Sequence, residues 1–242
     1  MIAVRRIAMW SGPRNMSTTM MRSFGARSDC AALDEPFYAA WLVAAGETHP
    51  MQAEILASQP NDADGVSKLL LAPLPDGKTV QFQKQMTHHM MPDFPLDWAA
   101  RCDHAFLIRH PARVIASYRK KMDDLSLEAI GFPQQARLFE EMRARTGKRP
   151  PVVDSDRILA DPRMILTRLC AALDLPWDEG MLAWAPGPKP EDGAWAPHWY
   201  DAVWTSEGFG AAAGPLPVLS GEAADIEKEA LAIYERLLEY HV

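Results

Sequence analysis

The 242-residue chain contains no stretch near the ~20 apolar residues of a membrane-spanning helix. Arg5 and Arg6 are followed by no apolar leader core before Gly12, which argues against a secretory signal and for a soluble, cytoplasmic protein. Cysteine is scarce: Cys30, Cys102 and Cys170 are odd in number and far apart, so neither a disulfide framework nor a metal-ligand spacing emerges. Their apolar surroundings fit buried thiols in a reducing compartment. Positive charge is also short. A net charge of −7 excludes a general nucleic-acid surface but still permits a local cation cluster for a small polyanion. With no repeat, low-complexity tract or linker, the expectation is one domain over 1–242, and the sequence carries no signal of oligomeric state.

What is present is an alternation of strand-like and helical runs. Strands are predicted at Ala3–Trp10, Cys30–Leu33, Thr79–Met86, Asp103–Ile108 and Val152-Val153. Between them lie helical patterns over Ser17 to about Arg27, Phe37–Ala45, Met51–Ser58, Ala63–Leu71, from Pro111, and Pro133–Arg145; two more follow Asp161-Pro162 and Ser220. The predicted class is α/β: three layers, with a P-loop-like central parallel sheet of about four to five strands and helices on both faces. Residues 186–217 are rich in Gly, Pro and Trp and lack periodicity, but Trp195, Trp199, Tyr200, Trp204 and Phe209 favour an ordered loop or lid over disorder.

The segment Gly12-Pro13-Arg14-Asn15-Met16-Ser17-Thr18-Thr19 joins the first strand to the first helix. This is the layout of a phosphate-cradling loop, in which backbone N–H groups and the positive helix end face an anion. Arg14 adds a forked cation, and Ser17, Thr18 and Thr19 add hydroxyls. The loop has no Walker-type lysine. The plain alternative is an ordinary strand-to-helix turn with Ser17 as cap and Arg14 solvated. A second anchor lies at the end of the Asp103–Ile108 strand, where Arg109 is delivered to the edge at which open α/β sheets bind ligands. Arg113 and Ser117, one turn apart on the next helix, are expected beside it around one anion.

These motifs resemble the sulfotransferase family that uses 3′-phosphoadenosine-5′-phosphosulfate (PAPS). Pro13-Arg14-Asn15-Met16-Ser17-Thr18 is similar to that family's 5′-phosphosulfate loop, with Asn15 and Met16 where Ser and Gly are usual. Arg109 and Ser117 match its 3′-phosphate motif. Val152–Leu175 resembles its late strand and Asp-Pro helix, and Gly193-Ala194-Trp195 its segment closing over the nucleotide. The resemblance implies transfer of a sulfuryl group to a hydroxyl or amine of a small-molecule or sugar-like acceptor, with no metal expected. It also implies a general base. Glu35 resembles the Glu-Pro base of carbohydrate-type members, and His88 lies where others carry a Lys-Thr-His histidine. Two adjacent histidines are not expected to share one cleft from an extended segment, which favours His88 over His89. Lys84 is expected either to bridge the transferring group or to be a solvated edge lysine. Residues 51–91 and the segment around Trp199 are the expected acceptor pocket. Two other readings stand beside this one: a Mg-ATP-dependent P-loop kinase of a small metabolite, with the run Ala31 to Asp34-Glu35 supplying a Walker B carboxylate to the metal, and a non-catalytic nucleotide-binding protein of the same fold.

Overall fold

The computed structural model describes residues 4–242, so Ala3, where the first predicted strand begins, lies outside them. The first part of the chain forms β1 (Arg5–Ser11), α1 (Ser17–Gly25), β2 (Cys30–Asp34), α2 (Tyr38–Ala45), α3 (Gln52–Ser58), α4 (Ala63–Leu70) and β3 (Val80–Met86). A 3-10 turn at Thr87–His89 and another at Asp97–Arg101 lead to β4 (Asp103–Ile108), α5 (Pro111–Tyr118), α6 (Phe132–Thr146) and β5 (Val152–Asp154). The chain continues through α7 (Ser155–Ala160), α8 (Pro162–Ala172), the short α9 (Ala196–Trp199) and α10 (Asp201–Trp204), and α11 (Glu222–Leu238). No helix among the described residues is long and apolar enough to cross a membrane.

The five strands pair in the order β2-β3-β1-β4-β5, and every pair is parallel. β1 is central and packed on both faces, which explains its continuous apolar run. Ile7 and Met9 join Met20, Met21 and Phe24 of α1 and Leu166 and Leu169 of α8. Ala8 and Trp10 point the other way, towards Leu138, Phe139 and Met142 of α6 and Leu237 of α11. Because all strands run the same way, Ser11, Asp34, Met86, Ile108 and Asp154 end on one edge. From β1 the chain goes to β2 and β3 on one side of the sheet and then crosses to β4 and β5 on the other, and this reversal of strand order opens a crevice at the end of β1.

Local signals fared unevenly. Asp161 caps α8 as expected, accepting from the Met164 N–H at 2.9 Å. Ser220 does not cap α11; Gly221 takes the cap position at φ 58°, a backbone region that glycine enters without a Cβ clash. α7 has no apolar stripe in the sequence and forms because the Asp154 carboxylate accepts from the N–H groups of both Asp156 and Arg157. The aromatic 186–217 segment is ordered around α9 and α10, with Trp195 and Tyr200 buried. Cys30, Cys102 and Cys170 are buried free thiols.

His104, on β4, is held neutral from both sides. Its Nδ1 accepts from the Trp10 indole N–H at 3.0 Å, and its Nε2 lies 2.9 Å from the Ala99 carbonyl, so the ring proton sits on Nε2. Burial pushes its pKa down from the ordinary 6.5 to about 4. The unfolded chain therefore binds this proton first, and stability is lost as pH falls from about 6.5 towards 4. The expected slope from this residue is up to ~1.4 kcal/mol per pH unit. Urea unfolding at several pH values should show the slope reduced in His104→Gln, whose amide reproduces the acceptor and the donor without titrating.

Candidate active site

A cleft of about 640 Å³ opens at the carboxyl edge of the sheet. On one side lies the loop after β1. Its tight path depends on two glycines: a Cβ on Gly12 would stand 2.9 Å from the Ile130 carbonyl, and one on Gly131 (φ +78°) would stand 3.0 Å from Pro13 Cδ. Arg14 (φ 63°) and Met16 (φ 68°) both adopt the left-handed conformation, at a cost of about 1 kcal/mol each. Met16 thus takes up the backbone geometry for which glycine is the usual choice. It precedes α1 without a side-chain cap, so Ser17 is the first helical residue and not the cap that the plain strand-to-helix turn would have made it. The first N–H to bond back is that of Met20, to Met16 O at 3.1 Å. The amides ahead of it have no helical partner, and Ser17, Thr18 and Thr19 line the cleft.

The two anchors read from the sequence meet directly. Arg109 Nη1 donates to the Arg14 carbonyl at 2.8 Å, and Arg14 Nε donates to Ser117 Oγ at 3.0 Å. Ser155 Oγ donates to the Asn15 carbonyl at 2.9 Å, and Asn15 Nδ2 to the Leu107 carbonyl at 3.2 Å. Asn15 therefore braces the loop against β4 with its side chain turned from the cleft, unlike the other loop residues. Among the described residues no carboxylate forms an ion pair with Arg14 or Arg109. Arg109 Nε is buried with no partner, and burial lowers the pKa of both guanidiniums. Arg113 does not join them. Its guanidinium pairs with Asp156 at 2.6 Å and donates to the Gly214 and Pro215 carbonyls, so a stronger local acceptor set directs it away from the anion cluster expected for it.

The other side of the cleft centres on Lys84. The β2–β3 register sets Asp34 opposite Lys84. Lys84 is fully enclosed on an inner strand, not a solvated edge lysine: its Nζ lies 2.9 Å from Asp34 Oδ1, 2.6 Å from Glu35 Oε1 and 2.5 Å from Tyr200 Oη. Burial alone would lower its pKa, but Asp34 and Glu35 together raise it well above the usual ammonium range. Tyr200 donates to Asp34 Oδ2 at 2.7 Å, and the Gly193 N–H donates to the same oxygen at 3.1 Å. Glu35 sits at φ 37°, outside the right-handed helical region that the following Pro36 disfavours. Its carboxylate is 12% exposed and faces the cleft. Burial, reinforced by the Asp34 charge, holds the Glu35 carboxyl above its ordinary value despite Lys84.

The histidines are arranged differently from expectation. Thr87–His89 is a 3-10 turn and not an extended segment, so His88 and His89 both line the cleft, with ring centroids 4.2 Å apart. His89, not His88, approaches the glutamate, its Nδ1 lying 3.7 Å from Glu35 Oε2. Burial, with His49 and Lys84 nearby, pushes the His88 pKa down to about 3, and the same causes together with His88 lower that of His89. Trp195 is a buried wall residue at this end, donating to Tyr200 Oη at 3.2 Å and meeting Tyr38 edge-on at 5.0 Å. From the expected 51–91 acceptor region only Lys84, Met86, His88, His89 and Met91 line the cleft; α3 and α4 do not. Trp199 and its neighbour Tyr200, from the other expected segment, line it too, and Tyr38, Trp41, Glu47 and His49 line it without having been singled out. Tyr38 and Trp41 had a readable signal, one and two helical turns after Glu35; Glu47 and His49 had none. Among the described residues no group of three or more His, Cys, Asp or Glu is placed to hold a metal ion, and the Asp34 oxygens are already engaged by Lys84, Tyr200 and Gly193.

A model of the sulfotransferase domain matches residues 5–239. The chain belongs to the sulfotransferase domain family. Three solved sulfotransferases or sulfotransferase domains share the fold. That of the Synechococcus PCC 7002 olefin synthase has a TM-score of 0.55 at 17% identity, covering 96% of each chain. That of the curacin biosynthetic pathway scores 0.57 at 14% identity over all of both chains. A sulfotransferase from Alicyclobacillus acidocaldarius scores 0.53 at 13% identity, covering all of this chain and 98% of its own. Two Arabidopsis thaliana proteins, branched-chain-amino-acid aminotransferase-like proteins 1 and 2, are each 34% identical over 203 residues, or 84% of this chain. The chain spans 36% of their length.

Among the described residues of this sulfotransferase domain, Lys84 is the only cation paired with the buried Asp34 and Glu35 carboxylates. Lys84→Met should lower unfolding free energy by about 3–5 kcal/mol, because it leaves both carboxylates uncompensated. Adding Asp34→Asn should recover part of that loss, and a double-mutant cycle from denaturant unfolding should give a coupling above about 1 kcal/mol.

Proposed function

We propose that this sulfotransferase takes its sulfuryl group from PAPS and transfers it to the hydroxyl of a small-molecule acceptor. The family model, which spans 5–239, supports reading the chain as one domain with the 186–217 loop as part of its wall. The observation that carries the donor assignment is the unpaired guanidinium pair. Arg14 and Arg109 are hydrogen-bonded into one unit, lack carboxylate partners and include a buried, unpartnered Nε. Such a pair fits an anion with at least two charged groups. In the transfer the acceptor oxygen bonds to sulfur as the bond from sulfur to the 5′-phosphate oxygen breaks, and adenosine 3′,5′-bisphosphate leaves. Arg14 and the free amides at the start of α1 suit the phosphosulfate, and Arg109 with Ser117 suits the 3′-phosphate.

Glu35 is the proposed general base. It faces the cleft, is partly exposed, and has a pKa raised by burial, which makes its carboxylate a stronger base than an ordinary glutamate. Lys84 holds its carboxylate in place and contributes positive charge next to the reacting groups. His89 takes the place given to His88 as the histidine nearest the base, and its low pKa keeps it a neutral neighbour. A Mg-ATP-dependent reaction would need Asp34 free for a metal, whereas Asp34 is held by three protein donors.

Adenosine 3′,5′-bisphosphate should raise the melting temperature, and Arg109→Ala should weaken its binding by about 2 kcal/mol, roughly thirtyfold. A titration with no shift at saturating nucleotide would remove the donor assignment. Glu35→Gln should leave nucleotide affinity unchanged and reduce kcat by about 10²–10⁴-fold. In the native enzyme kcat/KM should rise with pH through a midpoint above the ordinary 4.5 of a glutamate, since the base works deprotonated. Unchanged turnover in Glu35→Gln, with nucleotide still bound, would favour a binding protein of the same fold or a different base.

A further inference from the structure

We infer that the acceptor is an alcohol bearing an ammonium group, with its hydroxyl at Glu35 and its cationic end against the aromatic wall between Glu47 and Asp124. This rests on the sulfotransferase reading of the cleft and names the substrate class for it.

Charge divides the cleft into two unlike halves. The half around the β1 loop holds Arg14 and Arg109 without carboxylate partners. The other half is lined by Glu35, Glu47, Asp124 and Glu128; of its two cations, Lys84 is buried and already matched by two carboxylates and Lys121 is exposed, so the carboxylates outnumber the cations. Glu47 lies in the α2–α3 connection and Asp124 in the α5–α6 connection, yet the negative charges of both act on the His49 ring. Asp124 is fixed by a hydrogen bond from Tyr118 Oη at 3.1 Å. An anionic acceptor would meet net negative charge there, while a cation would be attracted.

The wall between these carboxylates is a continuous set of uncharged rings. His89 stacks on Tyr38 at 4.4 Å and on Trp41 at 4.8 Å, and His49 meets Trp41 edge-on at 5.1 Å. Burial lowers the pKa of all three imidazoles, and for His88 and His89 the neighbouring histidines and Lys84 lower it further, so these rings are neutral and offer π-faces and lone pairs. Nδ1 of His88 and Nδ1 of His89 are both buried with no protein partner. In a neutral ring each can accept an N–H hydrogen bond, which an ammonium provides and a hydrocarbon does not.

The test is calorimetric titration of the full chain with three probes sharing one hydroxypentyl arm: 5-aminopentan-1-ol, hexan-1-ol and 6-hydroxyhexanoate. Each is titrated with and without saturating adenosine 3′,5′-bisphosphate. The ammonium probe is expected to bind about tenfold tighter than hexan-1-ol, and the carboxylate probe weakest. Glu47→Gln with Asp124→Asn, both at exposed positions, should remove most of that advantage while nucleotide affinity is kept. Equal or weaker binding of the ammonium probe, binding of none of the three, or a preference that survives both substitutions overturns the inference. An ammonium preference in a protein that does not bind the nucleotide would overturn the donor assignment and leave this inference standing.

Discussion

The buried ammonium of Lys84 is the point on which the acceptor side of the cleft depends. It joins the ends of β2 and β3 through Asp34 and Glu35 and reaches the aromatic 186–217 segment through Tyr200. A charge this deep is tolerated only with close partners, and here it has two carboxylates and a phenol. The arrangement carries one more negative charge than positive; burial, with the Asp34 charge added to it, holds the Glu35 carboxyl above its ordinary range against the pull of Lys84, while Lys84 stays charged. The same contacts that give the fold a polar node in an apolar setting thus also set the protonation of the proposed base.

On the other side of β1 the balance is reversed. Arg14 and Arg109 are positive and partly buried, and among the described residues their guanidiniums meet no carboxylate and donate to a carbonyl and a hydroxyl. Left-handed backbone at Arg14 and Met16 bends the loop so that these groups and the α1 amides face one space. The strand order makes the division possible: β1 lies between β3, which carries Lys84, and β4, which delivers Arg109. One open edge of a parallel sheet therefore presents an electropositive and an electronegative half side by side, which fits two reactants of different charge.

The rim joins the halves. Arg22, almost wholly buried, binds Asp192 at 2.7 Å, and Trp204 donates to the same carboxylate at 3.0 Å. The 186–217 segment is thereby fastened to α1 at one place and to the Lys84 node at another. Its aromatic content serves as wall material, with Trp195 and Tyr200 in the core and Trp199 at the cleft.

Much of this was legible along the chain because it depends on neighbours in sequence. The apolar run of β1, the Pro-Arg loop before a helix, Arg109 at a strand end and Ser117 two turns into α5 are local patterns, and local patterns determine which residues reach the open edge of a parallel sheet. Other features depend on groups far apart in the chain, and only the tertiary structure decided them. The β2–β3 register set Asp34 against Lys84, and the return of the aromatic segment brought Tyr200 onto both. Asp156 and the 214–215 carbonyls drew Arg113 out of the anion cluster, and a 3-10 turn brought both histidines into one cleft. Spacing predicts where a side chain is carried; which partner it takes there follows from competing hydrogen bonds and charges that meet only when the chain is folded.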